Sequence, residues 1–589
     1  MKRLSAILLV CCMLLVLLAG CGTASPSSAS NPASEVSDGQ PQGVFANYFT
    51  GELETFNPHI WASSNAGDAI ALASMVLYAQ VPSEDAKSFV LQGELADGDP
   101  VKKDDEGKVW EIKIRKNAKW QNGDPINADD VLYSFKMCLD PLLVNSRASQ
   151  LASDYITIKN AKDYYLQGTS NKIAWEDVGL KRIDDYTIGL ELSDPVTEAD
   201  IKSHFNYTWT AIVHKPTYEA NMSADRTKTS YGASADKFIS CGRFILKDWV
   251  NGSVVNYVRN PDYINDSIKL AGYQYKMLAD ANTALELFLN GELDVVNLSA
   301  SVIEQYRDDP RIKTAPASTI QTLTINHKNT NNNGILGNLN FRKALYYGVD
   351  RAAVAKMTNG IPANYLVASK CLGDTSKGQS FRELPIAQSY LPPNLSFDPT
   401  LAKQYYDKAL EECGLSKLTV SLSYVETSAN NKAASEFLQK DLSKIFGDSF
   451  KLDLIAASSS VSTAYVQGWR NGDVNSYELT FRGWNTSTAA PWNGLKVYTS
   501  SYSNKNEPYF NKEYDALWDL ANNSLKAKLD PQYRLQLTAD MEKMALEDVV
   551  ACPVYEAPSY YLISERAKLV SEKYIPGYGF GFTLATLSK

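Results

Sequence analysis

The stretch that most constrains the fold of this chain is residues 108–141. Trp110, Ile112 and Ile114 alternate there with charged residues. Because successive side chains of a strand point to opposite faces, this alternation predicts a strand with one buried and one solvated face. The segment is therefore expected to form part of a sheet that covers a core on one side.

A turn and a helix are predicted to follow this strand. The run Asn-Gly-Asp-Pro at 122–125 favours a turn, because glycine accepts positive φ and proline fixes its own φ. Asn127 precedes apolar residues at helical spacing, and an Asp-Pro pair stands at 140–141. Asparagine is a preferred N-cap and proline cannot continue a helix, so the pattern predicts a capped helix between these points.

The order of residues in this stretch resembles the signature region of the family 5 extracytoplasmic solute-binding proteins, the oligopeptide- and dipeptide-binding proteins of ABC importers. That region has a Trp-x-apolar-x-apolar-Arg-Lys strand, a Lys-Trp-x-Asp/Asn-Gly-x-Pro turn and an Ala-Asp/Glu-Asp-Val helix start. The matching segments here are 110–116, 119–125 and 128–141. Shorter matches continue from about residue 44 to the end, at 179–195, 259–263, 291–294, 341–351 and 553–555.

The resemblance implies an α/β, two-lobed, periplasmic-binding-protein-like fold of the class II type with an extra domain. The ligand cleft would lie between the lobes, which are joined by a hinge. The implied divisions are a signal peptide at 1–20, a lipidated cysteine and tether at 21–43, a discontinuous lobe I at 44–77, 206–310 and 546–589, an extra domain of lobe I at 78–205, and lobe II at 311–545.

The resemblance also implies where a ligand would bind. In peptide-binding relatives the ligand lies extended and its backbone pairs with two short strands of the protein, which here correspond to 62–65 and 483–487. Arg470 aligns with an arginine near the ligand, and Arg482 precedes the second strand. The predicted ligand-binding residues are Ala62, Ser63, Ser64, Asn65, Arg470, Arg482, Gly483, Trp484, Asn485, Thr486 and Ser487.

One position departs from the family pattern. In oligopeptide-binding relatives, an aspartate three residues after the Gly-Trp tryptophan holds the peptide α-ammonium, whereas this chain has Ser487. Serine cannot neutralise an ammonium, and an uncompensated buried charge is costly. Either another acid such as Glu478 or Asp473 reaches the site, or the ligand presents no free ammonium there. We therefore expect N-acetylation of a peptide to weaken binding little; an oligosaccharide is the main alternative ligand.

The N-terminus indicates export and lipid attachment. Lys2 and Arg3 precede an apolar run that ends in Leu-Ala-Gly-Cys21, which is typical of a signal peptide and resembles the lipobox of bacterial lipoproteins. Lipidation at Cys21 would tether the protein to the cell membrane through residues 22–43, which are rich in Ser, Ala and Pro. The predicted partners are an oligopeptide, the permease and ATPase subunits of an ABC importer, and the membrane.

Composition and motifs narrow the remaining classes of function. A net charge of −9 argues against nucleic acid as a partner. The cysteines and the four histidines are scattered without metal-ligand spacing, so neither a metal nor a cofactor is expected. No nucleophile elbow, Walker loop or dinucleotide fingerprint occurs in the sequence. A binding protein that is not an enzyme is predicted; a lipid-anchored secreted hydrolase is the distant alternative, because two carboxylates suffice for one.

Overall fold

The computed structural model describes residues 42–588 except 154, 171, 266, 318, 375–376 and 486–489. The described residues belong to one compact unit that begins at Pro41. The predicted signal peptide at 1–20, the lipidation site Cys21 and nearly all of the predicted tether at 21–43 lie outside them. Within the described part, no helix is both long enough and apolar enough to cross a bilayer.

A four-stranded sheet joins the start of the described region to residues 244–277. Its strands lie in the order Gln42–Phe49, Leu270–Met277, Val254–Arg259 and Phe244–Val250. The first pair is parallel and the other two are antiparallel. Helix Ser64–Ala73 buries Ala66 and Ile70 in the same core, and the hydroxyl of Tyr257 donates to the carbonyl of Ala69 at 3.0 Å.

The prediction of an extended strand at 62–65 is wrong, because this segment starts the helix instead. The Ser63 hydroxyl accepts a hydrogen bond from the amide of Ala66 at 3.2 Å and caps the helix. The carboxylate of Glu54 accepts hydrogen bonds from the amides of Ala62 and Ser63, both at 2.8 Å. These side-chain acceptors satisfy amides that a strand would have offered to a ligand.

The signature stretch folds as its sequence predicts. Strand Val109–Lys113 lies in a four-stranded antiparallel sheet, and Trp110 and Ile112 are buried. The strand order of this sheet is Val101–Lys102, Val109–Lys113, Thr187–Glu191 and Leu180–Asp184. Helix Ala128–Cys138 begins with a capping box, in which Asn127 and Asp130 each accept the other's backbone amide.

A six-stranded mixed sheet forms the centre of the second half of the chain. Its strand order is Ile361–Pro362, Ala551–Glu556, Thr319–Ile325, Leu479–Asn485, Leu418–Val425 and Phe450–Ala457. The principal helices around it are Leu339–Gly348, Arg351–Thr358, Pro399–Glu412, Ala429–Phe446 and Pro531–Glu547. Gly414 and Gly447, at the C-terminal ends of two of these helices, both have positive φ.

The chain passes between the two halves at a three-stranded sheet. It consists of Val295–Asn297, Ser559–Ile563 and Ile312–Ala315 in that order. Ile312–Ala315 is followed by the central strand Thr319–Ile325, and Ala551–Glu556 of the six-stranded sheet is followed by Ser559–Ile563. The two halves are therefore linked through neighbouring strands.

The buried apolar side chains form several separate cores. One core collects residues from 320 to 555, a second from 75 to 241, and a third combines 45–73, 213–275 and 563–587. The predicted lobe boundaries stay a prediction.

Other helices are Ala148–Ser153, Ala161–Leu166, Glu198–His204, Lys215–Ala220, Ala281–Leu289, Ser459–Arg470, Lys512–Asn523 and Leu525–Leu529. Further two-stranded sheets pair Tyr78–Pro82 with Phe89–Gly93, Leu372–Asp374 with Gln379–Ser380, and Ala567–Lys568 with Thr586–Leu587.

Candidate ligand-binding site

A cavity of about 800 Å³ opens beside helix Ser64–Ala73. Its walls come from many separate parts of the chain, among them the end of strand Gln42–Phe49, one face of the helix, strand Leu270–Met277 and the C-terminal segment 574–583. Leu372, from the second half of the chain, also lines it. A volume of this size is in the range that proteins use for small ligands.

Aromatic rings form much of the cavity wall. Phe49 stacks on Tyr275 with ring centroids 3.9 Å apart, and Tyr275 lies 5.0 Å from Tyr273. On the C-terminal segment, the ring of Tyr574 meets that of Phe580 edge to face at 5.2 Å. Such rings offer apolar area together with hydroxyl groups, which suits a wall that contacts a ligand with both apolar and polar parts.

The C-terminal segment reaches the cavity because glycines allow a close approach. Gly577, Gly579 and Gly581 all have positive φ. A Cβ atom at Gly577 would lie 2.4 Å from the ring of Phe89, so a larger residue could not occupy this backbone position without a shift. This segment is not among the predicted ligand-binding residues, although its alternation of glycine and aromatic residues, Tyr-Gly-Phe-Gly-Phe, is a signal for it.

One charged pair lies at the edge of the cavity. The guanidinium of Arg243 is 4.0 Å from the carboxylate of Glu94. Glu94 also accepts hydrogen bonds from the amide of Val76 at 2.9 Å and from the hydroxyl of Tyr263. Nearby tyrosines and Glu94 raise the pKa of Arg243 further above its ordinary value, against the opposing effect of burial. Arg243 and Glu94 thus neutralise each other.

The helix presents a second acid to the cavity. Asn65, Asp68 and Leu72 share one face of the helix, as residues three and four apart do, and all three line the cavity. Asp68 is exposed to the open volume, yet the surrounding walls displace much of the water around it. This desolvation raises the pKa of Asp68 to about 6. Asp68 is not among the residues that the sequence predicts to bind a ligand.

Of the predicted ligand-binding residues, Asn65 lines this cavity. Ala62, Ser63 and Ser64 lie at the start of the same helix and take part in its capping. Arg470 and Arg482 are not among the lining residues. Within the described residues, no hydrogen bond or ion pair joins the segment 62–65 to the segment 470–485.

The predicted segment 483–487 is strand-like where it is described. Gly483, Trp484 and Asn485 complete strand Leu479–Asn485, with Gly483 opposite Gln321 in the neighbouring strand. On its other edge this strand pairs with Leu418–Val425 only at residues 479 and 480. Among the described residues, no strand pairs with that edge from Phe481 onward. Thr486 and Ser487 lie outside the described residues.

The two predicted arginines lie close to a buried acid. Arg470 donates to the carbonyl of Lys505 at 2.8 Å, and Arg482 donates weakly to the carbonyl of Ser462 at 3.4 Å. The Nε atom of Arg482 is buried without a hydrogen-bond partner among the described residues. Desolvation raises the pKa of the fully buried Glu507 to about 7, although both arginines oppose the shift. Arg482 therefore keeps hydrogen-bonding capacity for another group.

Glu478 and Asp473, the acids suggested to replace the aspartate that is missing at position 487, make hydrogen bonds within the protein. Glu478 accepts hydrogen bonds from the amide and hydroxyl of Ser421 at 2.6 and 2.8 Å. The carboxylate of Asp473 accepts a hydrogen bond from the amide of Asn475 at 3.1 Å in a turn. Neither acid lines the cavity.

The match of the chain to a family model shows which protein family it belongs to. The model of the bacterial extracellular solute-binding proteins, family 5, matches residues 90–506. The chain belongs to this family. The predicted family and α/β class are thus confirmed, and solved structures with the same fold have two lobes with a cleft between them.

Individual family 5 relatives match over most of their length. The oligopeptide-binding protein OppA of Bacillus subtilis (strain 168) is 26% identical over 502 residues, which cover 82% of this chain and 84% of that protein. The structure of Listeria monocytogenes OppA bound to peptide has a TM-score of 0.61 at 24% identity and covers 93% of this chain and 99% of its own. That of the ABC transporter substrate-binding protein CtaP from Listeria monocytogenes has a TM-score of 0.70 at 18% identity, with 93% and 100% covered.

Proposed function

We propose that the protein is the extracytoplasmic substrate-binding subunit of an ABC importer and that its ligand is an oligopeptide. Family membership supports the transport role, and relatives named for oligopeptide binding support the ligand class. The observation that carries the peptide assignment on this chain is the unpaired edge of strand Leu479–Asn485 beyond residue 480. An extended peptide can add to such an edge as a further strand.

This arrangement accounts for how one protein could accept peptides of different sequence. Main-chain hydrogen bonds to the strand edge would hold any extended peptide, since every residue except proline offers the same backbone groups. Arg482 lies in this strand and Arg470 is close to it, and their guanidinium groups would donate hydrogen bonds to a carboxylate of the ligand. The aromatic cavity would take apolar or polar side chains. Closure of the two lobes on the peptide would then present the loaded form to the permease and its ATPase subunits.

Peptides should be retained by the protein without turnover. After incubation of the purified protein with a defined peptide mixture and gel filtration, mass spectrometry should recover intact peptides at about one per protein molecule, since a two-lobed cleft encloses one ligand. Small-angle scattering of the same sample should show a smaller radius of gyration than that of the peptide-free protein. Peptide fragments that accumulate with time would contradict a binding role and favour a hydrolase; an unchanged radius at saturation would contradict closure.

The proposed site in the cell is the outer face of the membrane, with a lipid on Cys21. The apolar run that ends in Leu-Ala-Gly-Cys supports both export and lipid attachment. Replacement Cys21→Ala should remove incorporation of radiolabelled fatty acid and shift the protein from the membrane fraction to the medium or periplasm. The control variant Cys413→Ala removes a thiol at a different position and should leave both measurements unchanged. A Cys21→Ala protein that keeps its label and its membrane association would refute lipid attachment at this residue.

A further inference from the structure

Asp68 has no structural partner in the described part of the protein. It is the fifth residue of helix Ser64–Ala73, whose N-cap is Ser63, so it does not cap the helix. No hydrogen bond or ion pair within the described residues engages its carboxylate. The side chain faces the cavity together with Asn65 and Leu72. A carboxylate so placed is free to bind a group that enters the cavity.

The surroundings of Asp68 are aromatic rather than basic. Its charge acts on the hydroxyl groups of Tyr257, Tyr273 and Tyr275, all buried tyrosines whose pKa values are raised. Phe49 stacks on Tyr275 beside them. Such rings attract a cation electrostatically through their faces. They offer no positive charge of their own to compensate the acid.

The charges that line the cavity do not balance. Among its described lining residues, Asp68, Glu94 and Arg243 are the ones with charged side chains. Glu94 and Arg243 lie 4.0 Å apart and offset each other. The charge of Asp68 is left over, and the cavity therefore has a net charge of about −1 when this acid is ionised. A ligand with a positive group would restore neutrality.

We propose that Asp68 binds a cationic group of the peptide, an ammonium or a guanidinium, and thereby sets a preference for positively charged ligands. The inference rests on the proposed peptide-binding function and adds a residue that determines specificity. This acid lines the cavity, whereas the chain has a serine at position 487. The group could be the peptide α-ammonium or a basic side chain, which share the chemistry that Asp68 would recognise.

Calorimetry with four peptides of one length and one apolar background separates these sources. The peptides combine a free or an N-acetylated N-terminus with either lysine or the uncharged norleucine at one position. For the wild-type protein, removal of the charge that Asp68 binds should weaken affinity by about tenfold or more, as is typical for one partner of a desolvated charge pair. Asp68→Asn should bind all four with similar affinity, close to that of the wild-type protein for the peptide that lacks the recognised charge. Loss on acetylation assigns the α-ammonium, and loss with norleucine assigns the side chain.

The control variant is Glu52→Gln, which removes an exposed negative charge close in sequence but outside the cavity lining. It should retain the wild-type preference. A circular dichroism spectrum and melting curve identical in form to those of the wild type would confirm that Asp68→Asn is folded. The proposal is overturned if Asp68→Asn keeps the wild-type preference, or if the wild-type protein binds all four peptides equally. If the wild-type protein binds no peptide, the proposed function itself fails.

A second readout follows the proton on Asp68. Because the pKa of this carboxyl is raised to about 6, the ligand-free protein is partly protonated there at pH 6, and a bound cation would favour the ionised form. Binding at pH 6 should therefore release protons, detected as a dependence of the calorimetric enthalpy on the ionisation enthalpy of the buffer. The other ionisable groups lining the cavity are Glu94, Arg243 and tyrosines. The release should be absent in Asp68→Asn; equal release in both proteins would overturn the assignment to Asp68.

Discussion

Replacement Glu542→Ala should lower the free energy of unfolding by about 3–5 kcal/mol, the usual effect of removing one partner from a buried charge pair. Glu542 is fully buried and accepts hydrogen bonds from the guanidinium of Arg382 and the hydroxyl of Tyr390. It also accepts hydrogen bonds from the backbone amides of Leu366 and Val367 at 2.6 and 2.7 Å. Without it, a buried cation and two buried amides lose their acceptor at once.

Urea denaturation at pH 7 measures the Glu542 effect, and two further variants test its cause. Glu547→Ala, on the same helix, removes an exposed acid whose ion pair with Lys543 is 3.9 Å long; it should change stability by less than about 1 kcal/mol. The double variant Glu542→Met with Arg382→Met should be more stable than Glu542→Ala, because it leaves no unpaired charge. A loss in Glu542→Ala no larger than that in Glu547→Ala would show that the buried pair contributes little.

Replacement Glu507→Gln should stabilise the protein at pH 8 by about 3.5 kcal/mol relative to wild type and change little at pH 4.5. Desolvation raises the pKa of Glu507 to about 7 in the folded protein, above the ordinary value of about 4.3 of an unfolded chain. Between these two values the folded state binds more protons than the unfolded state, so the stability of the wild type falls as the pH rises through this window. Glutamine cannot ionise. Its amide oxygen can still accept the hydrogen bond that the hydroxyl of Thr324 donates to Glu507 at 3.0 Å in the wild type.

Urea denaturation at several pH values between 4.5 and 8 tests the Glu507 prediction through the difference between variant and wild type. Glu411→Gln is the control, since Glu411 is exposed, and its difference from wild type should stay near zero throughout. A difference for Glu507→Gln that does not grow with pH would show that Glu507 is ionised in the folded protein even at low pH. In that case Arg470 and Arg482 would already be neutralised by an internal partner, and the place proposed for a ligand carboxylate would be taken.

The sequence by itself determined those strands and helix ends whose formation depends on residues close to one another along the chain. The alternation of Trp110 and Ile112 with charged residues predicts the strand that the structure has, because the side-chain period of a strand is a local property. Asn127 predicts the helix start in the same way, since an N-cap and the amides that it binds lie within one turn. The family followed from the order of such segments, and the match over residues 90–506 confirms it.

The tertiary structure alone decided which residues line the cavity. Asp68 stands in a helix that is otherwise uncharged, and its sequence neighbours do not distinguish it from a solvated surface acid. The rings at 273 and 275 and the segment 574–583, which line the cavity with it, are far away in the chain. The strand predicted at 62–65 became a helix start because Glu54 accepts its amides. Likewise, the free edge beyond residue 480 exists because strand Leu418–Val425 diverges there. Desolvation and edge exposure are properties of the whole assembly of distant segments, so no local pattern encodes them.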